Sequence, residues 1–207
     1  LNLSLPHIQE ETDKNAQESL GRLYGFQNSQ GGWGWFNEEA TDLFMTAYVS
    51  YALSLSKNLG VKIENQVLQK GLNALVKELK NDNHTTTAKI FALYVLSLNN
   101  SFYPVVLNKI VSNNLDNLTP YELALLILTY NQSKNKEMAL QLAQKLKDKA
   151  IIAGNFAYWG NIQERQQIWW LDSIETTAWA LVALNSVQEE SSLIHQGAGW
   201  LLMQRKG

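Results

Sequence analysis

Cysteine is absent from this 207-residue chain. That excludes a disulfide framework, a thiolate metal site and a cysteine nucleophile within these residues. Histidine is scarce, with three scattered copies. Zinc-dependent helical enzymes need Cys and His ligands together, so no zinc or other cofactor is expected. Charge is low as well: only 17% of residues are Asp, Glu, Lys or Arg. That suits an all-helical piece whose surface is largely covered, or a module of a larger assembly. Lys and Arg (17) do not outnumber Asp and Glu (19), the net charge is −2, and no basic run occurs. Nucleic acid is therefore not an expected partner. No apolar run reaches transmembrane length, and the residues after Leu1 do not form a signal peptide, so this segment is not expected to insert in a membrane. An Asp-x-Asp-Asp-like run, which a diphosphate-binding cyclase would need, is missing too.

What the chain does have is apolar and aromatic. It is 45% hydrophobic, with seven Trp and eight Tyr, enough for a sizeable core and for rings that line pockets. One stretch concentrates glycine and indole: Tyr24-Gly25-Phe26-Gln27-Asn28-Ser29-Gln30-Gly31-Gly32-Trp33-Gly34-Trp35. It reads as a helix end, a tight turn and a pair of indoles before the next helix. Gly199-Trp200-Leu201-Leu202-Met203-Gln204 begins a similar stretch at the other end, so the chain reads as a fragment cut inside a repeat.

Helical spacing predicts a first helix over residues 13–27, after an extended lead-in at 1–6. A loop at 28–41 follows. A second helix starts at Thr41 or Asp42, both fair caps. From Leu43 to Leu55 it is apolar on nearly every face, the mark of a buried helix. Residues 64–80 carry one apolar stripe, Val67, Leu68, Leu72, Leu75, Val76 and Leu79, with lysines facing away. The alternation then recurs. Apolar helices are expected at 84–96, 119–128 and 173–184, and partner helices at 102–113, 135–149 and 192–205. The connection at 150–172 is long and holds Trp159, Trp169 and Trp170.

The apolar helices align at Thr46-Ala47, Thr87-Ala88, Thr119-Pro120 and Thr177-Ala178. Spacing of this size means stacked helix hairpins. Apolar character on every face of the first helix of each pair favours a closed ring over an open solenoid. The expected class is all-α, an α/α toroid of inner and outer helix pairs like that of terpenoid cyclases and prenyltransferases. Residues 1–207 are read as one toroid domain, incomplete at one or both ends, with its glycine-aromatic loops gathered at one mouth.

Gln27-xxx-Gly31-x-Trp33 resembles the QW motif of terpene cyclases. Longer stretches resemble the thioester domain of the α2-macroglobulin and complement family. These are Asp42-Leu43-Phe44-Met45-Thr46-Ala47-Tyr48-Val49, followed by Gln66-Val67-Leu68, and Ile174-Glu175-Thr176-Thr177-Ala178-Trp179-Ala180-Leu181, followed by Ala198-Gly199-Trp200-Leu201 and Gln204. Leu23 to Trp35 is most similar to bacterial members. The resemblance runs in order along nearly the whole chain. It implies a domain of a large endopeptidase inhibitor that entraps proteases at the cell envelope, periplasmic or extracellular. The implied partners are target proteases and neighbouring domains of the parent chain. In that family a Cys-Gly-Glu-Gln-type segment forms an internal thioester; no such segment is present in these residues, so the fragment itself is expected to be non-catalytic. Complement members also carry an acyl-accepting histidine before the second inner helix, and His84 is the sole candidate here.

The residues expected at the mouth or at an interface are Trp33, Trp35, Asp42, His84, Trp169, Trp170 and Glu175. Each has a plainer reading. His84 suits a helix start. Asp42, with Glu38 and Glu39 nearby, and Glu175, with Asp172, sit where acids complement a helix dipole. The indoles suit sealing of helix ends. The alternative is a toroid enzyme, terpene-cyclase-like or glycosidase-like, with paired carboxylates at the aromatic mouth.

Overall fold

The computed structural model describes residues 5–36, 40–160, 172–188 and 191–204, with the backbone alone over 5–13. Among them are nine α-helices and one β-hairpin. The helices are α1 (Leu5–Gly25), α2 (Leu43–Asn58), α3 (Asn65–Glu78), α4 (Thr86–Leu98), α5 (Pro104–Asn114), α6 (Pro120–Gln132), α7 (Lys136–Asp148), α8 (Ser173–Ser186) and α9 (Ser192–Met203). The hairpin, β1 (Ile151–Ala153) and β2 (Phe156–Tyr158), lies between α7 and α8. The chain forms two compact units, Leu1–Val95 and Leu96–Gly207, divided inside α4.

In the first unit α2 packs on α3. Asp42 caps α2, its carboxylate accepting the Met45 N–H at 2.8 Å. The stripe of α3 is where spacing put it: Val67, Leu68, Leu72 and Leu75 are buried, with Gly71 and Ala74 between them. Phe91 and Tyr94 of α4 join Phe44 and Tyr51 of α2 in a run of ring contacts at 5.5–6.0 Å. Burial raises the Tyr94 and Tyr51 phenols above their ordinary range, with a smaller push from the neighbouring tyrosine in each case.

In the second unit α6 packs on α7 and α8, and α8 on α9. Thr119 and Glu122 close a capping box around Pro120, the first helical residue of α6. The Thr119 hydroxyl accepts the Glu122 N–H at 3.2 Å, and the Glu122 carboxylate accepts the Thr119 N–H at 2.9 Å. Two helix-start donors are thus satisfied reciprocally. The hairpin rests on α9. Its strands are antiparallel with Ala153 opposite Phe156. Gly154, at φ 62°, supplies the left-handed first turn position that a two-residue hairpin favours. Trp200 of α9 stacks on Tyr158 at 4.8 Å.

Three expectations need correction. The first helix begins at Leu5, eight residues earlier than spacing placed it. Pro6 does not prevent this, because first-turn N–H groups have no intrahelical partner to lose. The long connection carries a hairpin, hidden because three-residue strands are too short for a visible period. The third correction concerns burial. Every residue of α6 from Tyr121 to Tyr130 is buried, and α4 is buried over residues 90–97. In contrast, α2 exposes Tyr48 (56%) and Leu55 (38%), and α8 exposes Ile174 (45%) and Val182 (52%). An apolar face states that a helix can be covered; it does not supply the covering neighbour.

Candidate functional site

The glycine-indole stretch is a folded joint between α1 and α2. Its turn is built around Asn28, whose carbonyl accepts the Gly31 N–H at 2.9 Å and whose side-chain oxygen accepts the Gly32 N–H at 3.1 Å. Gly31 has φ 85°, a conformation side chains disfavour, and a Cβ there would lie 3.0 Å from the Lys70 carbonyl. Gln27 crosses the turn. Its amide donates to the carbonyls of Gly31 (2.8 Å) and Val67 (2.9 Å). Trp33 is buried, and its indole N–H donates to the Leu23 carbonyl at 2.9 Å. These bonds account for the Gln27, Gly31 and Trp33 pattern as a clamp on the backbone.

The structure brings Asp42 against Trp33: the Asp42 N–H donates to the Trp33 carbonyl at 3.0 Å. With its carboxylate on Met45, Asp42 is a helix-capping group. Trp35 differs from Trp33. It is 45% exposed and stands beside Phe36, 75% exposed, on a joint where Phe26 is also open at 52%. Glu38 and Glu39 lie outside the described residues, as do Trp169 and Trp170.

His84 lies between α3 and α4, half-buried, with its Nε2 2.9 Å from the Glu78 carboxylate. The pair ties the end of one helix to the approach to the next. Glu175 stands in the first turn of α8, which Asp172 caps by accepting the Glu175 N–H at 2.7 Å. Burial raises the Glu175 carboxyl above the usual range. The Trp179 indole N–H, donating at 3.4 Å, opposes that shift, and the Asp172 charge adds to it. Trp179 sits edge-on to Tyr121 at 6.3 Å. Asp42 and Asp172 are therefore N-caps and Glu175 a first-turn residue, places where N–H groups and the dipole favour carboxylates.

Sequence reasoning passed over Thr46 and Gly71 as partners of Trp33. The Thr46 hydroxyl bridges both backbone groups of Trp33, and a Cβ on Gly71 would lie 2.7 Å from the indole. A glycine inside a strongly periodic helix was the available signal, since it costs helix stability unless something packs there.

The class these elements define is all-α, of the α/α-toroid type, as the repeat of apolar and amphipathic helices required. Its likenesses are to bacterial α2-macroglobulins. Over 68 residues the chain is 38% identical to the Alpha-2-macroglobulin of Thermotoga maritima, a match covering 33% of this chain and 4% of that protein. The native conformation of Escherichia coli alpha-2-macroglobulin matches 99% of this chain with TM-score 0.77 at 17% identity. Salmonella alpha-2-macroglobulin reacted with methylamine matches 94% with TM-score 0.76 at 15% identity. The chain spans only 14% and 13% of those two proteins. No protein-family model matches it. The resemblance drawn from the motifs and these comparisons name the same proteins.

Proposed function

We propose that residues 1–207 are part of one domain, the thioester-type domain of a bacterial α2-macroglobulin-like endopeptidase inhibitor that entraps proteases. The observation that carries this is a double likeness: 38% identity to one bacterial α2-macroglobulin over 68 residues, and the fold of another over 99% of the chain. The segment itself is non-catalytic. Its carboxylates at Asp42 and Asp172 cap helices, and its indoles at Trp33 and Trp159 are buried. The exposed aromatics of the first joint, Trp35 foremost, meet a neighbouring domain of the longer protein. The whole works at the cell envelope, periplasmic or outside the cell. Among the described residues no helix is long and apolar enough to cross a membrane.

The test uses the longer protein that contains this segment. Incubation with trypsin followed by denaturing electrophoresis is expected to show retained protease in a covalent, high-mass band. Pretreatment with methylamine, with which the Salmonella protein of this fold has been reacted, is expected to remove that band. Trypsin left fully active on a large protein substrate, with no complex formed, would overturn the reading as an inhibitor. Covalent retention that survives methylamine would overturn the thioester part alone.

A further inference from the structure

We infer that the chain contains two copies of one locking device, a tryptophan held at three points, and that each copy locks its own unit.

The first copy is Trp33. Its backbone N–H donates to the Thr46 hydroxyl at 2.9 Å, and that hydroxyl donates back to the Trp33 carbonyl at 3.1 Å. Its indole N–H donates to the carbonyl of Leu23, near the end of the preceding helix, at 2.9 Å. Its ring lies over Gly71 on the following helix, where a Cβ would meet Trp33 Cζ3 at 2.7 Å and Ser50 Oγ at 2.8 Å. One residue thus joins α1 and α3 through its indole and α2 through its backbone.

The second copy is Trp159. Its N–H donates to the Thr177 hydroxyl at 3.0 Å, and that hydroxyl donates back to the Trp159 carbonyl at 3.2 Å. Its indole N–H donates to the carbonyl of Leu146, in the preceding helix α7, at 2.7 Å. A Cβ on Gly197 of α9 would meet Leu181 Cδ2 at 2.7 Å and Trp159 Cζ3 at 3.2 Å. Here one residue joins α7 and α9 through its indole and α8 through its backbone.

The correspondence holds position by position. Each glycine follows its tryptophan by 38 residues. Each is hemmed in by that tryptophan and by the residue four after the threonine, Ser50 in one copy and Leu181 in the other. Both tryptophans and both threonines are buried. The approaches differ, a glycine turn before Trp33 and the β-hairpin before Trp159. Convergence of two unlike loops on one arrangement identifies the bonds, rather than the loops, as the repeated element. Thr119 does not take part: it is the cap of α6. The device needs a hydroxyl that both accepts and donates, which threonine or serine supplies and valine cannot. It needs a donor-only ring, which indole supplies, and a floor without a Cβ.

The test is hydrogen exchange on the whole chain, read by mass spectrometry, for Thr46→Val and Thr177→Val. Loss of the hydroxyl is expected to speed exchange about five- to tenfold in the locked elements, from the net worth of the lost bonds. For Thr46→Val the change falls in residues 28–36 and in the turns of α2 and α3 around Thr46 and Gly71, with 136–160 unchanged. For Thr177→Val it falls in 156–160 and in the turns of α8 and α9 around Thr177 and Gly197, with 14–36 unchanged. Thr46→Ser and Thr177→Ser, which keep the hydroxyl, are expected to exchange as the parent does. Trp33→Phe and Trp159→Phe, which remove only the indole donor and part of the ring, should repeat the two local patterns; they decide the matter if a valine variant fails to fold. Unchanged exchange in the valine variants, serine variants that match valine, or acceleration of both units by either substitution would overturn the inference.

Discussion

Ser50 is fully buried in α2, and its Oγ has no hydrogen-bond partner among the described residues. Unpaired burial of a hydroxyl costs about 1–3 kcal/mol. Ser50→Ala is therefore expected to leave stability unchanged or raise it by up to about 1 kcal/mol, read from the midpoint of urea unfolding. A fall of more than that size would show a bonding partner. Glu122 is the opposite case, a buried carboxylate with its partners in place. Glu122→Ala is expected to cost about 0.5–2 kcal/mol by the same measurement, through loss of the cap. Glu175 contributes a pH dependence. Its folded pKa is raised, chiefly by burial, so the folded state holds its proton more tightly than the unfolded chain does. The resulting destabilisation is fully present above the raised folded value. It is relieved as pH falls through that value and is gone below the ordinary 4.5. Glu175→Gln should thus melt higher than the parent at neutral pH, with the difference shrinking as the solution is acidified; an equal difference at all pH values would contradict it. Caps such as Asp42 were legible in the sequence because their partners lie three residues away. The partner of Trp33 on α3 lies 38 residues on, beyond the reach of any local pattern.

At the scale of the element, the glycines inside α3 and α9 divide helix propensity from packing. Alanine would gain up to about 1 kcal/mol in an open helix. At Gly71 the new methyl meets the ring of buried Trp33 and the Oγ of buried Ser50. Overpacking should win there, so Gly71→Ala is expected to destabilise by about 1–3 kcal/mol. At Gly197 the nearest atom is the far end of a half-buried leucine, Leu181. That side chain can turn aside, so Gly197→Ala is expected to cost less, and thermal melting of the two variants ranks them. The exposed stripe of α2 gives a second contrast. Leu55 is 38% exposed and Leu125 of α6 fully buried. Leu125→Ala is expected to cost about 2–5 kcal/mol and Leu55→Ala less than half of that. The helices were legible because their apolar periods are long. The hairpin was not, since each strand has three residues.

For the whole molecule, the two compact units and the two Trp–Thr–Gly locks give the fold an internal order that the four-threonine alignment only approximated. Thr46 and Thr177 hold equivalent places, while Thr119 caps a helix. At this scale the proposed role in protease entrapment makes a further prediction. Trp35→Ala with Phe36→Ala should lower the melting temperature of this chain less than Trp33→Ala does, because both rings are far more exposed than buried Trp33. In the longer protein the same pair should loosen the contact with the neighbouring domain, seen as faster limited proteolysis of the untreated inhibitor. Equal proteolysis in parent and variant would remove these rings from the interface.

By itself the sequence determined the helical class, the placement of most helices, the caps and the likeness to α2-macroglobulins. All of these depend on periodicity, on neighbours within one turn of helix, or on motifs read in order. Tertiary structure alone decided which apolar helices are covered on every side. It also decided that Trp33 lies inside while Trp35 stays open two residues away, and which of four similar threonines close a lock. Each of those outcomes depends on what a distant segment places against a side chain, and spacing along the chain carries no record of that.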